Sequence, residues 1–158
     1  DNDNVYVADW RNDRIQKFSR EGCFIATFGE TGEGEGQLNR PSDVAVDDQG
    51  YIYVADWGNE RLQILGPGGA FIAKFRGESG ISIWGQEYLD SNPEERIERE
   101  KSDLEPELDL PEEDYLREES ASIEKLFWGP VAVMLDAEGR LFVTETNRHR
   151  LQVYQRGD

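Results

Sequence analysis

Three stretches of this chain repeat one another, and that self-similarity constrains the fold more than any other feature. Residues 5–16 read VYVADWRNDRIQ, residues 52–63 read IYVADWGNERLQ and residues 141–152 read LFVTETNRHRLQ. Flanking pieces recur with them. Residues 41–47 (PSDVAVD) match 130–136 (PVAVMLD), Gly50 matches Gly139, and residues 22–28 (GCFIATF) match 69–75 (GAFIAKF). Asp9 to Asp56 is an offset of 47 and Asp56 to Glu145 an offset of 89, so 42 extra residues precede the third copy.

Each unit reads as four short strands, a to d. In the second copy, strand a covers residues 43–47, with Val44 and Val46 apolar, and a turn ending at Gly50 leads to strand b at 51–55. Residues 56–60 form the next turn. Strand c covers 61–65, with Leu62 and Ile64 flanking Gln63, and a Gly-Pro-Gly-Gly turn leads to strand d at 70–75. Alternation over four to eight residues, bounded by Gly, Pro, Asn and Asp, is the mark of half-buried strands joined as hairpins. Four-stranded antiparallel units recurring every 40 to 50 residues or so predict an all-β fold, a β-propeller. The ends of the chain fall inside repeats: strands bcd, abcd and abc are present. A closed ring needs about four to eight blades, so a partial propeller, a fragment of a longer protein, is expected.

These residues resemble the NHL-repeat family. The likeness rests on a Pro, a short apolar strand ending in Asp, a Gly turn, Val-Ala-Asp, Asn-x-Arg and an Ile/Leu-Gln strand. It is specific in the first two copies and looser in the third, where Glu145 replaces Asp and Arg148 stands where Asn is expected. It covers most of the chain outside residues 80–125 and implies a propeller, in that family usually of six blades. The domain organisation expected is 1–80 (blade one, partial, and blade two), 81–125 (an insertion in a d–a connection) and 126–158 (blade three, partial).

The insertion breaks the strand pattern. Asn92-Pro93-Glu94-Glu95 and Pro111-Glu112-Glu113 are helix starts, with Pro in the first turn and acids beside the helix N-terminus, so two or three short helices are expected. Residues 103–109 are left irregular, and Trp84 and Tyr88 are expected to pack in part. Residues 86–125 hold 16 acids and 5 bases, so a net −11 of the chain's −17 is concentrated there. Such a balance opposes phosphate binding and anionic membrane surfaces, so no nucleic-acid partner and no membrane insertion are expected. Charge would steer a cationic partner or a metal ion. Asp103, Glu105, Glu107 and Asp109 alternate and would share one side of an extended chain, a weak signal for Ca²⁺ or another divalent metal; otherwise no cofactor is expected.

Candidate site residues follow from the repeat. Asp9/Arg14, Asp56/Arg61 and Glu145/Arg150 recur at one spacing, and an acid ending one strand can pair with an Arg opening the next. A set repeated in every blade is expected to be structural. Trp10 and Trp57 follow the acid directly, and either stack between blades or contact a ligand. With Asn12 and Asn59 they are the candidate binding residues. His149 is explained by its place in the repeat, and Cys23, the lone cysteine, is expected to pack as a small apolar residue. The Gly-rich segment 29–36 carries three glutamates and lacks the Lys-Ser/Thr ending of a phosphate loop, so it reads as a flexible connection. The ends of strand a, Asp47 and Asp136, are accounted for by their turns.

Because neighbouring strands of a blade run antiparallel, the b–c turns and the d–a connections lie at one end. Loops on a rigid scaffold are where binding concentrates. The expected function is a non-enzymatic binding or scaffold module presenting that end to a protein, peptide or glycan, with self-association through open blade edges as a further expectation. The alternative, which the resemblance brings with it, is a fragment of a propeller enzyme, lactonase-like or a metal-dependent lyase, whose centre needs further blades. No catalytic or metal-ligating residue is assigned.

Overall fold

The structure, a computed structural model, describes residues 3–109 and 111–155. The chain divides into two compact units, Asp1–Gly77 with Phe127–Asp158, and Glu78–Leu126.

The described residues of the first unit form three antiparallel sheets. Blade one is β1 (Val5–Asp9), β2 (Arg14–Phe18) and β3 (Phe24–Phe28). Blade two is β4 (Pro41–Val46), β5 (Ile52–Asp56), β6 (Arg61–Leu65) and β7 (Phe71–Phe75). Blade three is β8 (Pro130–Leu135), β9 (Arg140–Glu145) and β10 (Arg150–Gln155). Each sheet pairs its strands in chain order, as successive hairpins do. The hairpin between β4 and β5 is set by Asp47, whose carboxylate accepts the N–H groups of Gln49 and Tyr51 at 3.0 and 2.8 Å. Gly50 closes the turn at φ +87°, in the left-handed region that favours glycine. The pairing slips by one residue at matching places, after Pro41 and after Pro130, so the irregularity belongs to the repeat.

Blade two is covered on both faces, and the two-residue side-chain period shows how. Ile52 and Val54 of β5 enter a core with Ile15, Phe28, Leu38 and Leu65, against blade one. Tyr53 and Ala55, the alternate residues, enter a second core with Leu62, Phe127, Val133, Leu141 and Val143, against blade three. Every residue of β5 is therefore buried. Each fully buried Leu, Ile or Phe contributes about 1.5–3 kcal/mol relative to exposure, so these two interfaces are the main apolar stabilisation of the unit. Near β4 and β8 polar contacts fix the register of neighbouring blades. Ser42 donates to the Pro130 carbonyl at 3.1 Å, and the Val133 N–H donates to Asp43 at 2.9 Å.

Cys23 does not pack. It is exposed, in the turn before β3, where its carbonyl accepts the Ser19 N–H at 2.8 Å. At this end of the outermost strand apolar residues are left in solvent, as Phe24 and Ile25 also show.

The second unit is helical: α1 (Ile83–Ser91), α2 (Pro93–Lys101) and α3 (Glu112–Ser122). Ser82 caps α1 by accepting the Gly85 N–H at 3.0 Å. Pro93 opens α2, with Glu94 and Glu95 in its first turn and Arg99 and Lys101 in its last, signs that suit the helix dipole. Arg99 pairs with Glu124 at 2.8 Å and Lys125 with Glu105 at 2.7 Å, tying the irregular stretch and the end of the unit back to its helices. Trp84 and Tyr88 depart from expectation: they are 81% and 52% exposed. No residue of α1 is buried, and the Tyr88 hydroxyl is bonded to Glu95 instead, at 2.9 Å. Among the described residues, no group of three or more His, Cys, Asp or Glu is placed to hold a metal ion, and no helix is long and apolar enough to cross a membrane.

Candidate binding face

The turn after strand b is built the same way in blades one and two. A single 3-10 turn, Trp10–Asn12 or Trp57–Asn59, is ended by a left-handed residue, Asp13 (φ 51°) or Glu60 (φ 49°). His149 holds that left-handed place in blade three (φ 50°).

The acid before each turn gathers donors from strand c. Asp56 accepts from Arg61 Nε at 2.7 Å, Asn59 at 2.8 Å and Gln63 at 3.2 Å, and its other oxygen takes the Asn39 N–H at 2.7 Å. Glu145 repeats this with Arg150 (2.8 Å), Gln152 (2.7 Å) and the Trp128 N–H (2.9 Å). Asp9 takes Arg14 (2.9 Å), Asn12 (2.7 Å) and Gln16 (2.7 Å). The surroundings differ. Asp56 and Arg61 are 0% and 6% exposed, whereas Asp9 and Arg14 are 19% and 41% exposed. Burial pushes the Asp56 carboxyl above its ordinary value, against the bonds that pull it down. The Arg14 and Asn12 hydrogen bonds hold Asp9 below its own.

Residues 29–36, expected to be a flexible connection, are bonded to blade two. Arg61 donates to the carbonyls of Glu33, Gly34 and Gln37 at 2.6, 3.0 and 2.9 Å. Asn59 donates to Gly32 at 2.9 Å, and the Gln63 side chain accepts the Gly36 N–H at 3.1 Å and donates to Gln37. The glycine-rich sequence supplies close-approaching carbonyls, and a buried guanidinium with five fixed donors collects them. Leu38, fully buried, anchors the loop in the core between blades one and two.

On this framework stand the exposed groups. Trp10 and Trp57 meet across the two blades, with ring centroids 6.4 Å apart and planes tilted by 52°. The Arg40 guanidinium lies 5.4 Å from the Trp10 ring centre. Trp10 is 41% exposed, Trp57 is half-buried, and Asn12 is exposed beside them. Asn59 stands apart from this surface: it is 1% exposed, with its amide donating to Asp56 and Gly32. Trp128 is half-buried, with Arg148 5.7 Å from its ring centre.

Residues not singled out in the sequence complete the site. Asp13 accepts the Arg40 N–H at 2.7 Å, and Glu60, 47 positions on, accepts the Gly129 N–H at 2.6 Å. Each left-handed acid therefore ties its blade to the start of the next. The signal was present in the recurrence of an acid at both positions, as it was for Gln16, Gln63 and Gln152.

At the opposite end, a cleft of about 480 Å³ lies between the a–b turns of blades two and three, lined by Asp47, Asp48, Tyr53, Asp136 and Glu138 among others. Asp47 and Asp136 serve their turns. Asp136 accepts the N–H groups of Glu138 and Arg140 at 3.0 and 2.8 Å and the Arg140 guanidinium at 2.6 Å.

The chain was compared with known families, proteins and solved structures. The family model described as NHL repeat matches residues 38–65 and 127–154. Protein brain tumor of Drosophila melanogaster is 50% identical over 42 residues, which are 27% of this chain and 4% of that protein. Among solved structures, one of streptogramin B lyase is similar at 12% identity and a TM-score of 0.46, over 98% of this chain and 38% of that one. A putative exported protein from Bacteroides fragilis is similar at 13% identity and a TM-score of 0.44, over 97% of this chain and 48% of that one. The chain thus spans less than half the length of these proteins. Residues 38–65 and 127–154 thus match the NHL repeat, and the antiparallel sheets that carry them are of β-propeller type.

Proposed function

We propose that this chain is a non-enzymatic recognition module whose binding surface is the b–c turn end of blades one and two. The observation that carries this reading is the Trp10–Trp57 pair, two large rings presented together, 6.4 Å apart, on turns whose leading acids, Asp9 and Asp56, are already bonded. Rigid aromatics lose little conformational freedom on binding and make strong anchors. Arg40 beside Trp10 adds a cation to the rim of that surface. The chemistry suits a peptide that lays an apolar or aromatic side chain on the rings and a carboxylate or carbonyl on the guanidinium. The recurring acids Asp9, Asp56 and Glu145 are committed to their turns and to their Arg partners.

The test is selection of a displayed random peptide library on the immobilised chain, followed by titration of the enriched peptides against Trp10→Ala. Enriched peptides that lose at least tenfold in affinity, with the variant melting within a few degrees of the parent, support the proposal. Peptides that bind the variant equally well overturn it.

A further inference from the structure

The helical unit carries an apolar stripe on its first helix. Trp84 and Tyr88 stand at i and i+4 of α1, which places them side by side on one helix face. Ile81, just before the Ser82 cap, extends the stripe, since a Cβ at Gly85 would lie 3.0 Å from its side chain. Ile81, Trp84 and Tyr88 are 45%, 81% and 52% exposed. α1 lies in the interior of the sequence, between β7 and β8, and none of its residues is buried.

Acids border this stripe. Glu87 is the i+3 neighbour of Trp84 on the helix surface. Glu95 accepts the Tyr88 hydroxyl at 2.9 Å, and with Glu94 it stands in the first turn of α2. The bases of α2 are engaged within the unit: Arg96 lies 3.6 Å from Asp90, Arg99 2.8 Å from Glu124 and Lys101 2.9 Å from Glu98. Residues 86–125 carry a net charge of −11, so acids remain in excess around the apolar anchors. An exposed apolar patch rimmed by polar groups is the form of an interaction site, and the sign of the rim selects the partner. Anchors spaced i, i+3 and i+7 are those of an amphipathic helix packing on an apolar surface.

We propose that α1 docks a basic amphipathic helix of a partner protein. The partner's apolar face covers Ile81, Trp84 and Tyr88, and its Lys and Arg side chains meet Glu87, Glu94 and Glu95. An acidic helix or an anionic membrane surface would meet like charge instead. The inference goes beyond the Trp10–Trp57 surface and stands independently of it.

The test titrates the full chain into a fluorescein-labelled synthetic helix of Leu and Lys, with Leu along one face, and follows anisotropy. Saturable binding that weakens with added salt is expected. Trp84→Ala and Tyr88→Ala, both at exposed positions and checked for helix content by far-ultraviolet circular dichroism, are each expected to bind at least about tenfold more weakly, as loss of an aromatic anchor does. Trp10→Ala is expected to bind as the parent does, and a helix of Leu and Glu in the same pattern is expected not to bind. The proposal is overturned by a Leu and Lys helix that does not bind, by equal binding to the parent and both α1 variants, by a loss on Trp10→Ala, or by equal binding of the Leu and Glu helix.

Discussion

Glu60 and Gly129 are 69 residues apart in sequence, yet the Glu60 carboxylate accepts the Gly129 N–H at 2.6 Å and so joins the turn of blade two to the start of blade three. Glu60 is only 6% exposed. Removing the acceptor leaves a buried N–H unpaired, which costs about 1–3 kcal/mol, with about 2–4 °C of Tm per kcal/mol for a chain of this size. Glu60→Ala is expected to lower Tm accordingly in a calorimetric scan, and Glu60→Gln, which keeps an acceptor oxygen, is expected to lose less. Equal losses from both would mean that charge, rather than the hydrogen bond, joins the blades.

Arg61 and Arg14 occupy the same place in their blades but have different surroundings. Arg61 is buried against Asp56 and also holds three loop carbonyls. Truncating one member of a buried pair costs about 3–5 kcal/mol, whereas a pair near the surface such as Arg14 with Asp9 contributes about 0–1 kcal/mol. Urea unfolding of Arg61→Ala and Arg14→Ala is expected to separate them by at least about 2 kcal/mol. Hydrogen exchange in residues 32–37 should rise in the Arg61 variant alone. Comparable stability losses would show that the loop bonds add nothing to the pair.

The architecture was legible in the sequence because the repeat states it three times, and each strand alternates around a fixed turn. Asp9/Arg14 and its equivalents were legible for the same reason. The setting of each copy was not. Asn59 and Asn12 look alike in sequence, but whether a preceding loop lies over the residue decides that one is buried and the other exposed. The order of residues 29–40 was hidden because its bonds run from backbone carbonyls to side chains more than twenty residues away. In α1, Trp84 and Tyr88 looked like packing residues, since composition does not tell an apolar side chain that finds a core from one that does not.

Asp9 and Asp56 are expected to titrate on opposite sides of their shared ordinary value of 3.8. Asp9 is held low by Arg14 and Asn12. Its contribution to stability is therefore present above the ordinary value and is lost as pH falls through its lowered folded value. Asp56 is pushed up by burial, so the folded state holds that proton more tightly than the unfolded chain does. Its ionisation then costs stability as pH rises through the raised folded value. Carbon-detected NMR titration of the two carboxyls should give a midpoint below 3.8 for Asp9 and above it for Asp56. Arg14→Ala should return Asp9 towards its ordinary value without moving Asp56. Midpoints in the reverse order would show that the four donors around Asp56 outweigh its burial.

The helical unit is expected to be dispensable for folding of the blades. Neither apolar core draws a residue from 78–126: the two clusters are built from the blades, Leu38 and Phe127. The two points where the chain leaves and re-enters the blades are also joined, since the Phe127 N–H donates to the Arg76 carbonyl at 2.5 Å. A short Gly-Ser linker in place of residues 78–126 therefore spans almost no distance, and shortening a loop lowers its closure entropy only slightly, by about 0.6 kcal/mol per halving. The excised chain is expected to keep a β-type far-ultraviolet circular dichroism spectrum and to unfold cooperatively within a few degrees of the parent. It should also lose the helical signal of α1 to α3. If cooperative unfolding disappears while the linker joins the chain correctly, the blades depend on the helical unit.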